Sequence, residues 1–167
     1  MSIKLIVLDV EGTLTRGDIT FDDNGNELKS FNVKDGLAIS TWINKLNGKV
    51  VIITGRKSKI VTSRAKELGI QYVCQESSDK LSTIKEICKK ENIELSEVAA
   101  IGDDLNDYKM LAAVGRSFCP NDATSEIIKL SKTILKKSGG EGAVREMIEH
   151  ICIFDDKRED FINHYKN

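Results

Sequence analysis

Residues 4–15 read KLIVLDVEGTLT, and the fold is decided in the first half of that stretch. Leu5, Ile6, Val7 and Leu8 form an unbroken apolar run rich in β-branched side chains. An amphipathic strand would alternate apolar and polar residues. An unbroken run suits a strand buried on both faces, as in a parallel sheet. The run ends at Asp9, with Glu11 and a Gly12-Thr13 pair directly behind it. Two acids placed two apart at such a corner raise the question of whether it does chemistry or merely turns the chain.

Working outward, the same kind of run recurs at KVVIITG, residues 49–55, and at VAAIGDD, residues 98–104. The spacing predicts helices between such runs: from Asp35 to a stop at Asn47-Gly48, over Ser58–Leu68, and through Leu81, Ile84, Ile87 and Cys88. Beyond the third run it predicts a helix over DYKMLAAVG, a strand at Ser117–Cys119, a helix over Thr124–Leu130, a short strand near Thr133 and a last helix from Gly142. Between Gly17 and Val33 apolar and polar residues alternate around Asn24-Gly25, a hairpin signal. Strand and helix alternating with short connections predict an α/β fold: a doubly wound, Rossmann-like parallel sheet with a β-hairpin insertion after its first strand. We expect a single domain over residues 1–151 and a charged C-terminal tail over 152–167 that is either solvated or reaches a neighbouring subunit.

Composition narrows the function. With 40% hydrophobic and 31% charged residues, the 167-residue chain has a globular profile. Its net charge of -1 gives no electrostatic footprint for nucleic acid. The first apolar run is broken by Lys4 and Asp9, so it reads neither as a signal peptide nor as a membrane span. Cys74, Cys88, Cys119 and Cys152 form no metal-binding spacing and read as free thiols, which suits the cytoplasm.

In open α/β sheets ligands bind beyond the carboxyl ends of the strands, and the polar residues collect there. IGDDLND, residues 101–107, is the densest cluster: Asp103, Asp104 and Asp107, with the amide Asn106 among them, repel one another unless a cation or a basic side chain compensates them. Mg2+ is a hard ion that takes such oxygens. A helix N-cap at Asp103 or Asp104 accounts for only one of the acids. Thr54 and Gly55 add a hydroxyl and backbone N–H groups suited to an anion at a helix start, although Thr54 or Ser58 would also serve as a plain cap. Lys80 opens a predicted helix, where the dipole prefers acids; a solvated lysine is the plain reading and a bound phosphate the chemical one. Together these parts suit phosphoryl transfer. Asp9 attacks phosphorus, Lys80 and Mg2+ offset equatorial charge, and Glu11 handles the proton.

With DVEGT, ITG, Lys80 and GDDLND in this order, the chain resembles the phosphatases of the haloacid dehalogenase superfamily. The stretches FNVKDGLAI, ITGRKSKIVTSRAKELGI, GDDLNDYKML and GGEGAVRE resemble those of its small phosphatases with no large cap domain. These act on 3-deoxy-D-manno-octulosonate 8-phosphate (KDO 8-phosphate) and related nine-carbon keto-acid phosphates. The resemblance implies a Mg2+-dependent phosphoric monoester hydrolase. It makes Asp9 the nucleophile, with Asp9, the Glu11 carbonyl and Asp103 as metal ligands and Asp104 acting nearby through water. Asp107 would orient Lys80, and Thr54, Gly55, Lys80 and Asn106 would bind phosphate. It further implies a homotetramer built on the hairpin, with NELKSFNVKDG, residues 25–36 less Gly25, near substrate or at an interface.

Arg56, Arg64 and Arg145 are the candidates for the sugar-acid end of the substrate. Arg56 follows the ITG as it does in octulosonate phosphatases, which favours the eight-carbon substrate over a nine-carbon, sialic-acid-type 9-phosphate. Arg64 falls in the apolar arc of its helix and could simply lay its stem on apolar surface, while Arg145 could pair with Glu146 or Glu149. Glu11 is the departure, because these phosphatases usually carry Asp there. A decayed site in a non-catalytic oligomerisation module is the alternative. The intact Asp9, Thr54, Lys80 and Asp103 argue for a working enzyme.

Overall fold

The computed structural model describes residues 2–163, 165 and 166. His164, for which the sequence offers no partner, lies outside the described residues together with Met1 and Asn167. Strand β1 (Leu5–Leu8) is followed by the hairpin strands β2 (Thr20–Phe21) and β3 (Glu27–Leu28), helix α1 (Val33–Leu46), β4 (Lys49–Ile53) and α2 (Lys59–Leu68). Then come β5 (Tyr72–Cys74), α3 (Lys80–Glu91), β6 (Val98–Ile101), α4 (Tyr108–Ala113), β7 (Arg116–Cys119), α5 (Ser125–Leu130), β8 (Thr133–Ile134), α6 (Ala143–Phe154) and α7 (Arg158–Asn163). Six strands form one sheet in the order β5-β4-β1-β6-β7-β8, with every pairing parallel. β2 and β3 form a separate antiparallel pair.

β1 sits at the centre and pairs with β4 on one side and β6 on the other. Its side chains serve two cores. Ile6 and Leu8 pack with residues of α1, α2, α6 and α7, among them Ile39, Trp42, Ala65, Met147, Ile148 and Phe161. Leu5 and Val7 pack with Ile84, Ile87, Met110, Leu111 and Ile127 of α3, α4 and α5. Helices thus cover both faces, which is why β1 shows no polar alternation. Each buried Val, Leu, Ile, Met or Phe side chain among these stabilises the fold by roughly 1.5–3 kcal/mol.

The helix ends follow local chemistry. Asn32 caps α1, its side chain accepting from the Lys34 N–H at 2.9 Å, so the helix starts two residues before the predicted Asp35. The predicted stop is met by Asn47, left-handed at φ 52°, and by Gly48 packed against the Trp42 indole, where a Cβ would overlap the ring. Asp79 caps α3, which sets Lys80 at the first helical position. In the hairpin, Asn24-Gly25 lies inside a longer loop over residues 22–26. Asp22 ties that loop by accepting the N–H groups of Asn24 and Asn26 at 2.9 and 2.8 Å.

The C-terminal region is ordered differently from the expected tail. The boundary at 151 falls inside α6, because the apolar period of Met147, Ile148, Ile151 and Cys152 carries through it and all four are buried. α7 then folds back on α1 and buries Phe161. Among the described residues no helix is long and apolar enough to cross a membrane, and the four cysteines are unpaired, with Cys74 half-buried and the others buried.

Candidate active site

β1, β4 and β6 end side by side, and their last residues lead into loops that converge on Asp9. The Lys80 ammonium reaches across from the start of α3 and lies 2.6 Å from Asp9 Oδ1 and 2.6 Å from Asp107 Oδ1. All three side chains are buried, with exposures of 2% for Lys80, 4% for Asp9 and 0% for Asp107. The second oxygen of Asp107 accepts the backbone N–H of Asp103 at 3.0 Å, which fixes the turn after β6. Asp103 completes the cluster: one carboxylate oxygen each from Asp9, Asp103 and Asp107 lie within 4.8 Å of one another.

Burial dominates the electrostatics. It raises the Asp9 pKa well above the usual carboxylate range, the Asp107 charge adds to the effect, and Lys80 offsets part of it. Burial and the Asp107 charge push Asp103 up to about 7. On Lys80 burial works against the charge, but Asp9 and Asp107 outweigh it and the pKa lies above its ordinary value. Carboxyl groups held this far from their usual range in a shared crevice mark a functional site.

Close backbone approach builds the rest. Gly12, at φ 87°, lies against the Asp103 carboxylate, and a Cβ there would overlap it. The 139–142 loop before α6 packs on the same turn, with the Gly140 N–H donating to the Thr13 carbonyl at 2.9 Å. From β4, Thr54 donates its hydroxyl to Glu11 Oε2 at 2.7 Å. Glu11 Oε1 lies 3.0 Å from the Lys29 ammonium, which the sequence reading did not single out. Lys29 sits directly after β3, its side chain only 2% exposed, and also pairs with Glu27 at 3.0 Å.

Comparison with known proteins is consistent across the chain. Residues 72–148 match the haloacid dehalogenase-like hydrolases. The 3-deoxy-D-manno-octulosonate 8-phosphate phosphatase of Yersinia pestis is 39% identical over 158 residues, 95% of this chain and 84% of that protein. The chain belongs to this phosphatase family of the haloacid dehalogenase-like hydrolases. The family's fold is shared closely. The Moraxella catarrhalis enzyme, solved with a magnesium ion, a phosphate ion and a KDO molecule, superposes with a TM-score of 0.94 at 39% identity, covering 98% of this chain and 93% of that one. The cobalt-bound Haemophilus influenzae enzyme gives a TM-score of 0.91 at 34% identity, covering 96% and 94%.

Set against this family, the remaining sequence candidates divide. Asp104 is exposed and accepts the Leu105 N–H at 2.7 Å, so its carboxylate caps the short 3-10 turn Leu105–Asp107, on which Asn106 is exposed. Thr54 and Gly55 lie at the end of β4 in a turn rather than at a helix start, since α2 begins only at Lys59 with Ser58 in the cap position. Arg56 lies beside Glu11, Nε to Oε1 at 4.0 Å, and pairs with Glu27 at 3.1 Å. Arg64 stacks over Phe31 at 5.8 Å, pairs with Glu67 at 2.9 Å and lines a small crevice with Asn32 and Asp35. Arg145 pairs with Glu149 at 2.6 Å and lies over the Phe161 ring. Its backbone N–H donates to the buried Asp35 at 2.8 Å.

The donor set fits Mg2+. The cluster offers only oxygens, and Lys80 contacts two of its three carboxylates, Asp9 and Asp107. Fully ionised, the four groups carry a surplus of two negative charges in a mostly buried site, which a hard divalent ion would balance.

Proposed function

We propose that the chain is a Mg2+-dependent phosphomonoesterase acting on KDO 8-phosphate through an aspartyl-phosphate on Asp9. The observation that carries this reading is the buried Asp9–Lys80–Asp107 contact, at 2.6 Å on each side, at the end of the central strand. The family relatives that act on KDO 8-phosphate match 95% of the chain. Asp9, Asp103 and the Glu11 carbonyl would hold Mg2+, which when bound supplies positive charge to the phosphoryl oxygens.

Asp9 Oδ forms the new P–O bond while the ester P–O bond breaks in line with it. The departing sugar oxygen takes a proton from Glu11. Water then attacks the phosphorus of the aspartyl-phosphate, gives its proton to Glu11, and frees Asp9 with inorganic phosphate. Lys80 stays protonated throughout and balances charge near the phosphoryl group, oriented by Asp107. The Thr54 hydroxyl, the Gly55 N–H and Asn106 would hold phosphoryl oxygens. Arg56, beside Glu11 and Glu27, and Arg64, beside Phe31 and Asp35, would take the sugar-acid carboxylate, with Arg145, whose N–H donates to Asp35, as the third candidate.

The hairpin and the start of α1 expose Ile19, Phe21, Leu28 and Val33. Such a patch suits the burial of this face in a homotetramer, and light scattering of the purified chain would give its mass. Four unpaired cysteines suit the cytoplasm. Phosphate release from KDO 8-phosphate in Mg2+, lost in Asp9→Asn, is the expected result. Equal or faster release from a nine-carbon 9-phosphate would reassign the substrate, and no release from any sugar-acid phosphate would overturn the phosphatase reading.

A further inference from the structure

Glu11 carries one methylene more than an aspartate would at this position, and its carboxylate is held at both oxygens. Oε2 accepts the Thr54 hydroxyl at 2.7 Å and Oε1 meets the Lys29 ammonium at 3.0 Å. Lys29 reaches Glu11 from the hairpin, 18 residues along the chain, with its side chain almost entirely removed from solvent. Four groups balance one another here: Glu11 and Glu27 against Lys29 and Arg56. A buried lysine needs such partners, and Glu27 alone, paired also with Arg56, would satisfy a purely structural contact. The second arm, to Glu11, runs into the active site.

We propose that Lys29 is a positioning residue that holds the lengthened Glu11 carboxyl where it can exchange a proton with the sugar oxygen and with water. The inference rests on the phosphatase reading above and on Glu11 as its acid and base. Thr54 cannot do this alone. Its single hydroxyl proton goes either to Glu11 or to a bound phosphoryl oxygen, so with substrate present Lys29 is the donor left to fix Glu11. A glutamate carboxyl released from that contact turns about one more bond than an aspartate does, and a shift of about 1 Å is enough to slow proton transfer about a hundredfold.

A double-mutant cycle on phosphate release from KDO 8-phosphate in Mg2+ tests this. Lys29→Met should lower kcat by about 10- to 100-fold with KM within about threefold. In a Glu11→Gln background, where no proton can be exchanged at that position, Lys29→Met should change kcat by less than about threefold. If Lys29→Met does not fold, Lys29→Gln, which keeps a neutral donor, is read in the same cycle. An equal loss in both backgrounds, or no loss in the first, would overturn the role of Lys29 and leave the phosphatase reading intact. Unsubstituted chain that releases no phosphate would overturn both.

Discussion

Asp35 is buried in the α1 face of the core with only a backbone donor at one oxygen: Oδ1 accepts the Arg145 N–H, and Oδ2 has no partner among the described residues. Burial raises its pKa to about 6, against 3.8 for an exposed aspartate, with the Arg145 N–H and the Arg64 charge pulling the other way. Between those values the folded chain holds a proton that the unfolded chain has released. Stability therefore falls as pH rises through the window and stays at the lower level above it. At about 1.4 kcal/mol for each unit, the contribution lost is on the order of 3 kcal/mol. Urea unfolding at a series of pH values is expected to show this fall in the unsubstituted chain. In Asp35→Asn the component between about pH 4 and pH 6 should vanish; two parallel profiles would show that Asp35 titrates as an ordinary surface acid. The same economy of donors appears at Glu11, whose carboxylate is fully occupied where Asp35 is left half satisfied.

At the scale of elements, the strands and most helices were legible because each announces itself locally. LIVL, KVVII and VAAI carry no polar alternation, and Asn47 and Gly69 stop α1 and α2 in the left-handed conformation that suits them. α7 was not legible. REDFIN offers a single apolar anchor of consequence, Phe161, which earns its place only because α1 and α6 leave a surface for it. Arg145 adds its guanidinium over that ring at 5.2 Å, a pairing with no signature in the chain order. Phe161→Ala should therefore cost about 2–4 kcal/mol, toward the lower end of phenylalanine truncations because the helix lies at the edge of the core. Chemical denaturation measures this, while kcat well below the unfolding midpoint should be unchanged. A loss under about 0.5 kcal/mol, the level of ordinary surface substitutions, would mean that α7 docks without stabilising the fold.

In the whole molecule, the site is the place where the sheet gathers most of the buried ionisable residues, Asp9, Lys80 and Asp107, with Asp35 buried apart from them. Its acids were readable because they cluster in sequence at residues 101–107 and stand at strand ends. Their division of labour is implied by the family resemblance and not by the spacing of the acids themselves. Asp104 and Asp107 are equally acidic neighbours in sequence, yet one caps a turn in solvent and the other is buried against Lys80, 27 residues away. Lys29 was hidden for the same reason, since its partner Glu11 comes near only when the hairpin folds back. Burying Asp9 and Asp103, and setting both beside the Asp107 charge, must cost the metal-free protein stability; burial first and Asp107 second raise the pKa values of both groups. Asp103→Asn removes one of the competing charges. Without metal it should melt higher, by the equivalent of about 1–3 kcal/mol at neutral pH. Mg2+ should then raise the melting temperature of the unsubstituted chain, by the equivalent of about 2.7 kcal/mol at a hundred times its dissociation constant, and raise that of Asp103→Asn little or not at all. A variant that is destabilised without metal and still gains stability from Mg2+ would show that Asp103 is a structural acid and that the ion is held elsewhere.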